Sequence, residues 1–314
     1  MTDQRLYTGK IIDAHCHISS AKFIPNDFFE GVARNVAVKL AATGVHKSVH
    51  ALVESTLQKA QDHLGDGLVA EMDAAGIDQA VVLLPDFTYV MKSALTIHEM
   101  FECHYEIVQR HGERLYIFAG VDPRWGADGV TLFNQGVRKF GFRGLKLYPP
   151  CGYSPSDRML YPYYEICSEL NLPVLLHIGP TSPVLSFDYS HPHLIDAAAR
   201  DFPGVNFILA HGAVHHVDDC VALCAYRHNI YLDISAFLGS THPQGWQVSL
   251  SKLFARNINH KILFGTDWPV FRNAGGQKRI MDALLSSAGP LSKVSSVQRG
   301  WLMQENLRRL LPTF

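Results

Sequence analysis

Eight short apolar, β-branched runs recur along the chain, each followed by turn residues and then a helical pattern. They are KIIDAHCH (10–17), AVVLLP (80–85), LYIFAGVDP (115–123), GLKLYP (144–149), PVLLHIG (173–179), NFILAHGA (206–213), IYLDIS (230–235) and KILFGTDWP (261–269). Continuous apolar runs of this length suit strands buried on both faces, as in a parallel sheet. Helix candidates such as YPYYEICSELN (161–171) and HLIDAAARDF (193–202) lie between them. Strand alternating with helix implies βα units, and eight units are the number that closes a (β/α)8 TIM-like barrel, an α/β fold. A chain of 314 residues suits one such domain over 1–314, and no linker, internal repeat or low-complexity tract divides it. The stretch 18–65 is too long for an ordinary βα loop. It carries its own helical pattern, including FFEGVARNVAVKLAATG (28–44), and reads as a long helical insertion or lid after strand 1. VQRGWLMQENLRRLL (297–311) reads as a last amphipathic helix against the barrel.

Composition narrows the partners. Net charge is −1, so there is no basic footprint to favour nucleic acid or an acidic membrane surface, and a small-molecule substrate is the expected partner. No apolar run approaches the roughly 18 residues of a membrane span. The first ten residues, MTDQRLYTGK, lack the apolar core of a signal peptide. The six cysteines are scattered without CxxC pairs and read as reduced thiols of a cytoplasmic protein, with Cys220 and Cys224 as packing residues. The 17 histidines stand out, because neutral imidazole is both a common metal ligand and a common general base.

In a barrel of this kind chemistry sits where strands end at the C-terminal face. The first run ends in His15 and His17, the fourth carries Lys146, the fifth ends in His177, the sixth in His211 and the eighth in Asp267. Each interrupts an apolar run and would be costly to bury without a partner. Residues i and i+2 of a strand share a side, so His15 and His17 can both aim into the mouth while Cys16 points toward the helices. His177 and Asp267 could complete a three-nitrogen, one-oxygen set around a divalent ion such as Zn²⁺ or Mn²⁺. One coordination position would stay open for water, whose pKa such an ion lowers.

Each residue also has a plainer use. A lone strand-end histidine can be a hydrogen-bonded core residue, Asp267 can cap the segment after it, Lys146 can sit in a buried ion pair, and His211 can simply pack. Their recurrence at comparable strand ends weighs against all these uses together. Lys146 and His211 admit two joint readings. A lysine with a depressed pKa can take up CO₂ as a carbamate bridging two ions, with His211 on the second. Otherwise His211 is the general acid/base and Lys146 a cation for substrate or a carboxylate.

The joint pattern, with GFRGLKLYPPCGYSPSD (141–157), YPYYEICSELNLPVLLHIG (161–179), FPGVNFILAHGA (202–213) and ILFGTDWP (262–269), resembles the amidohydrolase superfamily. Within it, the wording is similar to the amidohydrolase-related group that includes aminocarboxymuconate-semialdehyde decarboxylase. The resemblance spans about residues 10–311 and is weakest over 18–65. It implies a distorted (β/α)8 barrel holding a divalent metal, most often zinc, in a protein that can pair as a homodimer. Carried over by position, His15, His17, His177 and Asp267 are the ligands and His211 is the histidine that polarises water at a single ion. Lys146 stands where binuclear members carry a carboxylated lysine. One ion is the favoured expectation, two the alternative.

The group contains hydrolases of amides, esters and lactones, and non-oxidative decarboxylases of aromatic or unsaturated acids. The first expectation is hydrolysis, with Asp267 or His211 taking the proton from water. The alternative is a lyase, with His211 in proton transfer. A third reading is a barrel whose metal is structural or whose role is regulatory. Tyr148, Phe87, Thr181 and Trp268 are candidate substrate contacts, and Arg34 and Arg124 are candidates for binding a substrate carboxylate.

Overall fold

The computed structural model describes residues 5–239 and 245–312. Eight strands occur among them: β1 (Ile12–Cys16), β2 (Gln79–Leu84), β3 (Leu115–Gly120), β4 (Gly144–Leu147), β5 (Val174–Leu176), β6 (Phe207–Leu209), β7 (Ile230–Asp233) and β8 (Ile262–Leu263). They lie side by side in chain order, each paired parallel to the next. Beyond the short β8 the chain returns to β1. Ala14 N donates to Phe264 O (2.8 Å), Asp267 N to His15 O (2.9 Å) and His17 N to Trp268 O (2.7 Å), which brings the two ends of the sheet together as a barrel.

The helices are α1 (Asn26–Ala41), α2 (Val49–Lys59), α3 (Asp66–Ala75), α4 (Ile97–His111), α5 (Gly126–Phe140), α6 (Tyr161–Leu170), α7 (Asp196–Asp201), α8 (Val217–Tyr226), α9 (Trp246–Phe254) and α10 (Gly276–Leu285). Local chemistry explains their placement. In α4, Thr96 and Glu99 cap each other's backbone N–H groups, and Ile97, Met100, Phe101, His104 and Ile107 form one buried stripe. The helix expected over 193–202 begins as a tight 3₁₀ turn, Pro192–Ile195, before α7. The stretch 297–311 is a near-continuous helix: α11 (Ser296–Gly300), a π turn over Trp301–Glu305, then α12 (Asn306–Leu310).

Strand alternation sorts the side chains into two layers. Ala80, Val82 and Leu84 face the helices, while Val81 and Leu83 join Ile12, Ala14, Phe118, Leu175, Ile208 and Leu263 in the barrel interior. Leu307 and Leu310 of α12 enter that interior cluster, so the last helix plugs one end of the barrel. Within 18–65 lie α1 and α2, and α1 rests on the loop after β5, where Ser182 Oγ donates to Phe28 O at 2.8 Å.

The apolar runs extend beyond the strands at their C-terminal ends. His177, His211, Ser235 and Asp267 lie one to four residues past the ends of their strands. His177 and Asp267 still donate backbone N–H groups to neighbouring strands, to Leu147 O and His15 O.

Asp13 locks the seam. Its buried carboxylate accepts from Thr266 N (3.0 Å), Thr266 Oγ1 (2.6 Å), Gln277 Nε2 (3.1 Å) and His15 N (3.0 Å). Asp13→Ala leaves these donors buried and unpaired. The expected loss is about 3 kcal/mol or more, read as a lower urea midpoint with unchanged slope.

Candidate metal centre

A register shift between Asp13 and Cys16 breaks simple alternation in β1. Ala14 faces the interior and Cys16 the helix layer, while His15 and His17 both reach the mouth. His15 Nδ1 bonds Asp233 Oδ2 at 2.8 Å, and His17 Nδ1 bonds the carbonyl of Leu83 at 3.0 Å. Carboxylate and carbonyl oxygens accept, so each ring in its neutral form carries its hydrogen on Nδ1 and presents the Nε2 lone pair. These Nε2 atoms lie 3.5 and 3.6 Å from Asp267 Oδ1. The two histidines and Asp267 therefore form one group with converging ligand atoms.

His177 follows β5. Its buried Nε2 has no hydrogen-bond partner among the described residues, nor has His15 Nε2 or Lys146 Nζ. The His177 ring lies 4.9 Å from that of His211 and stacks on Tyr148 at 4.5 Å. Tyr148 places its hydroxyl 2.5 Å from Thr181 Oγ1 and its ring edge against Phe87 (4.9 Å), which in turn meets Phe28 of α1 (5.1 Å). Phe87, Tyr148 and Thr181 thus form a connected wall beside His177. Trp268 is buried in the outer core, with the Arg272 guanidinium 5.7 Å from its ring.

His211 and Asp267 share an uncommon backbone. Their φ angles are 60° and 59°, a left-handed conformation that costs a non-glycine residue on the order of 1–3 kcal/mol and concentrates at functional sites. Hydrogen bonds hold both in place: His211 N donates to Asp233 Oδ1 (3.0 Å) and Asp267 N to His15 O (2.9 Å). Ser235 Oγ contacts His211 Nδ1 (2.8 Å), His15 Nδ1 (3.0 Å) and Asp233 Oδ1. His15, His211 and Asp233 also group as potential ligands, but Asp233 and both Nδ1 atoms are already engaged with one another or with Ser235. Asp233 therefore orients imidazoles that turn Nε2 elsewhere, the arrangement that raises the basicity of a metal-binding histidine.

Burial pushes the imidazoles of His15, His177 and His211 well below their usual pKa, so all three are neutral and able to donate a lone pair. For Asp267 burial works upward, but His17, His211 and His15 together hold the carboxyl below its ordinary value. Burial brings Lys146 down to about 8, against the pull of Asp233 and Asp267. A lysine with a lowered folded-state pKa destabilises the fold at pH below about 8, and the penalty fades as pH rises toward 10.5. Lys146→Met in chelator-treated protein is expected to gain stability on the order of 3 kcal/mol at pH 7. The gain should shrink as pH rises from about 8 and be nearly gone by 10.5, as denaturant melts across pH would show.

Asp233 is absent from the strand-end residues chosen from sequence, although IYLDIS ends its apolar run with an acid just as the other runs end with theirs. Asp86, after β2, is a similar omission. It accepts from Thr88 N, Asp122 N and Trp125 Nε1, tying neighbouring loops together. The two arginines weighed for a substrate carboxylate are placed otherwise. Arg124 is spent on both oxygens of Asp122 (2.8 and 2.6 Å) and on Cys151 O (2.9 Å), and Arg34 lies exposed on α1 near Glu30 (3.8 Å). Lys146 is a buried cation without a hydrogen-bond partner among the described residues, its Nζ 5.7 Å from the Tyr148 ring.

The residues fit a divalent ion. Two donors at about 2.1 Å from a tetrahedral ion stand roughly 3.4 Å apart, close to the separations between Asp267 and the two histidines. Buried Nε2 atoms without partners, tautomers fixed from behind and one carboxylate are the donor chemistry that zinc or manganese accepts.

Comparison with known proteins concerns the fold and the family. No curated protein matches the sequence. An uncharacterised TIM-barrel protein from Bordetella bronchiseptica superposes with a TM-score of 0.66 at 19 % identity, covering 96 % of this chain and 98 % of its own. A dihydroxybenzoic acid decarboxylase from Polaromonas sp. JS666, with bound manganese and the inhibitor 2-nitroresorcinol, gives 0.60 at 15 % identity over 96 % and 97 %. A 4-oxalomesaconate hydratase from Rhodopseudomonas palustris gives 0.57 at 19 % identity over 96 % and 95 %. At these identities the structures speak for the fold. The family model described as amidohydrolase matches residues 12–313, and the chain belongs to that amidohydrolase family.

Proposed function

We propose that this protein is a metal-dependent lyase that removes CO₂ from a small, planar aromatic or unsaturated carboxylic acid. The observation that carries the reading is the mouth itself: a buried cation without a hydrogen bond, Lys146, beside a converging His/Asp group and the aromatic wall of Tyr148 and Phe87. Two structural relatives with a named activity, a decarboxylase and a hydratase, favour lyase chemistry over the hydrolysis expected first from sequence. His15, His17, His177 and Asp267 would hold one divalent ion. Manganese is supported by the decarboxylase relative and zinc by the nitrogen-rich donor set. When bound, such an ion supplies Lewis acidity toward substrate oxygens.

The chain's own residues do the rest. Lys146 Nζ meets the substrate's negative charge, and Tyr148 and Phe87 line its flat face. As the carbon–carbon bond breaks, CO₂ leaves and its electron pair stays on the substrate carbon. His211, whose Nδ1 is held by Ser235, takes up a solvent proton at Nε2 before the bond breaks and passes it to that carbon. The α1–α2 segment, through Phe28, closes the side of the wall and excludes water. Free cysteines throughout suit a cytoplasmic location, and no helix among the described residues is long and apolar enough to cross a membrane.

A second reading is hydrolysis of an ester, amide or lactone. It is favoured by one observation: His211 is held neutral, the state in which it takes a proton from water. Protein loaded with Mn²⁺ or Zn²⁺ separates the two. Release of CO₂ from hydroxybenzoates or unsaturated dicarboxylates, without turnover of lactones or esters, is expected. Lactone or ester cleavage with no CO₂ from any acid tested would overturn the lyase assignment.

A further inference from the structure

A second group of histidines lies away from the mouth cluster. SHPH (190–193) and HHVDD (215–219) are far apart in the chain, and the fold brings them together. His191 precedes the 3₁₀ turn Pro192–Ile195, His216 caps α8 in a left-handed conformation (φ 51°), and Asp219 lies in the first turn of that helix. His191 Nε2 and His216 Nδ1 approach the same oxygen, Asp219 Oδ2, at 3.7 and 3.9 Å. His193 Nε2 lies 3.2 Å from the other oxygen. The ring of His191 is 4.4 Å from that of His216 and 4.9 Å from that of His193. Ligand atoms of His191, His216 and Asp219 all fall within 4.8 Å of one another.

We propose that His191, His216 and Asp219, with His193 beside them, form a second divalent transition-metal site of the Zn²⁺ class on the barrel rim, separate from the centre at the mouth. Two imidazoles and one carboxylate, with the His193 imidazole at the other carboxylate oxygen, form a nitrogen-rich set that selects zinc-like ions over magnesium or calcium. The side chains are part-exposed (27–56 % of each), so an ion can reach them directly from solvent. His191 Nδ1 accepts from His193 N at 3.4 Å, so coordination through Nε2 moves the ring hydrogen to Nδ1 and gives up this long hydrogen bond.

The site joins two loops. The loop between β5 and the 3₁₀ turn carries Thr181, bonded to Tyr148, and Ser182, bonded to α1, and it exposes Val184, Phe187 and Tyr189. An ion at the rim clamps the far end of this loop to α8. It thereby steadies the wall of the mouth without entering it.

The test uses protein carrying its mouth ion, dialysed against Zn²⁺ and counted by elemental analysis. Wild type is expected to take one further equivalent. The His191→Gln/His216→Gln double variant should keep the mouth ion and bind the further one at least about 100-fold more weakly. Zinc should also slow hydrogen exchange over 183–190 in wild type but not in the double variant. Because the rim residues are part-exposed, the variant's melting curve serves as the folding control, and Asp219→Asn provides an independent second variant. Asp267→Asn, which empties the mouth, should still take the rim ion, so failure at one site is read separately from failure at the other. Equal zinc uptake by wild type and both rim variants would overturn the proposal.

Discussion

Asp267→Asn is expected to weaken Zn²⁺ or Mn²⁺ binding at the mouth by more than about 100-fold, beyond the range that follows loss of an outer partner. The substitution removes the one carboxylate shared by His15 Nε2 and His17 Nε2, at 3.5 and 3.6 Å. It leaves the shape of the side chain almost unchanged. It also suits the backbone, because asparagine tolerates the left-handed φ of 59° better than most residues. The fold should therefore persist while the ion is lost. Equilibrium dialysis with each metal, alongside thermal melts of the metal-free proteins, reads the two effects separately. Tight retention of the ion by the variant would remove Asp267 from the ligand set.

Asp233→Asn is the second large effect and acts through a tautomer. Asp233 Oδ1 accepts from His211 N and Ser235 N, so the amide oxygen of an asparagine keeps that side. Its NH₂ then faces His15 Nδ1, where the carboxylate oxygen now stands at 2.8 Å. An amide that donates to Nδ1 forces the ring hydrogen onto Nε2, the atom that points at Asp267. His15 would present a hydrogen where it presented a lone pair. Metal affinity is expected to fall by about 10–100-fold, although Asp233 itself touches no ion. Asp233→Ala should behave differently: it leaves the same donors buried with no acceptor and lowers stability by about 3 kcal/mol or more. A shift of the His15 ring nitrogens in ¹⁵N spectra of Asp233→Asn identifies the tautomer directly.

Much of the barrel was legible because its determinants are local. Apolar runs at regular intervals mark strands whether or not their partners are known, and His15, His17, His177, His211 and Asp267 interrupt those runs at comparable points. What the sequence could not carry was the support behind them. The bulge in β1 depends on pairing with β2, and nothing in IIDAHCHIS encodes it alone. Asp233 becomes meaningful only when β7 lies between β6 and β8 and places its carboxylate behind two histidines. Asp13 reads as a third member of a D-x-H-x-H series, yet the bulge turns it to the opposite side, where it fastens the seam to Thr266 and Gln277. Arg124 looked available for an anion until the fold set it on Asp122, two residues before it. For the bulge, Asp233 and Asp13 the missing information was a long-range contact, which periodicity cannot contain.

The metal centre is tested most directly by anomalous diffraction at the zinc or manganese edge, on crystals of protein purified without chelator. One peak is expected at the mouth, in contact with His15 Nε2, His17 Nε2, His177 and Asp267, with Lys146 unmodified and Asp233 outside the coordination sphere. No peak there, with His15 and His17 turned away from Asp267, would contradict it.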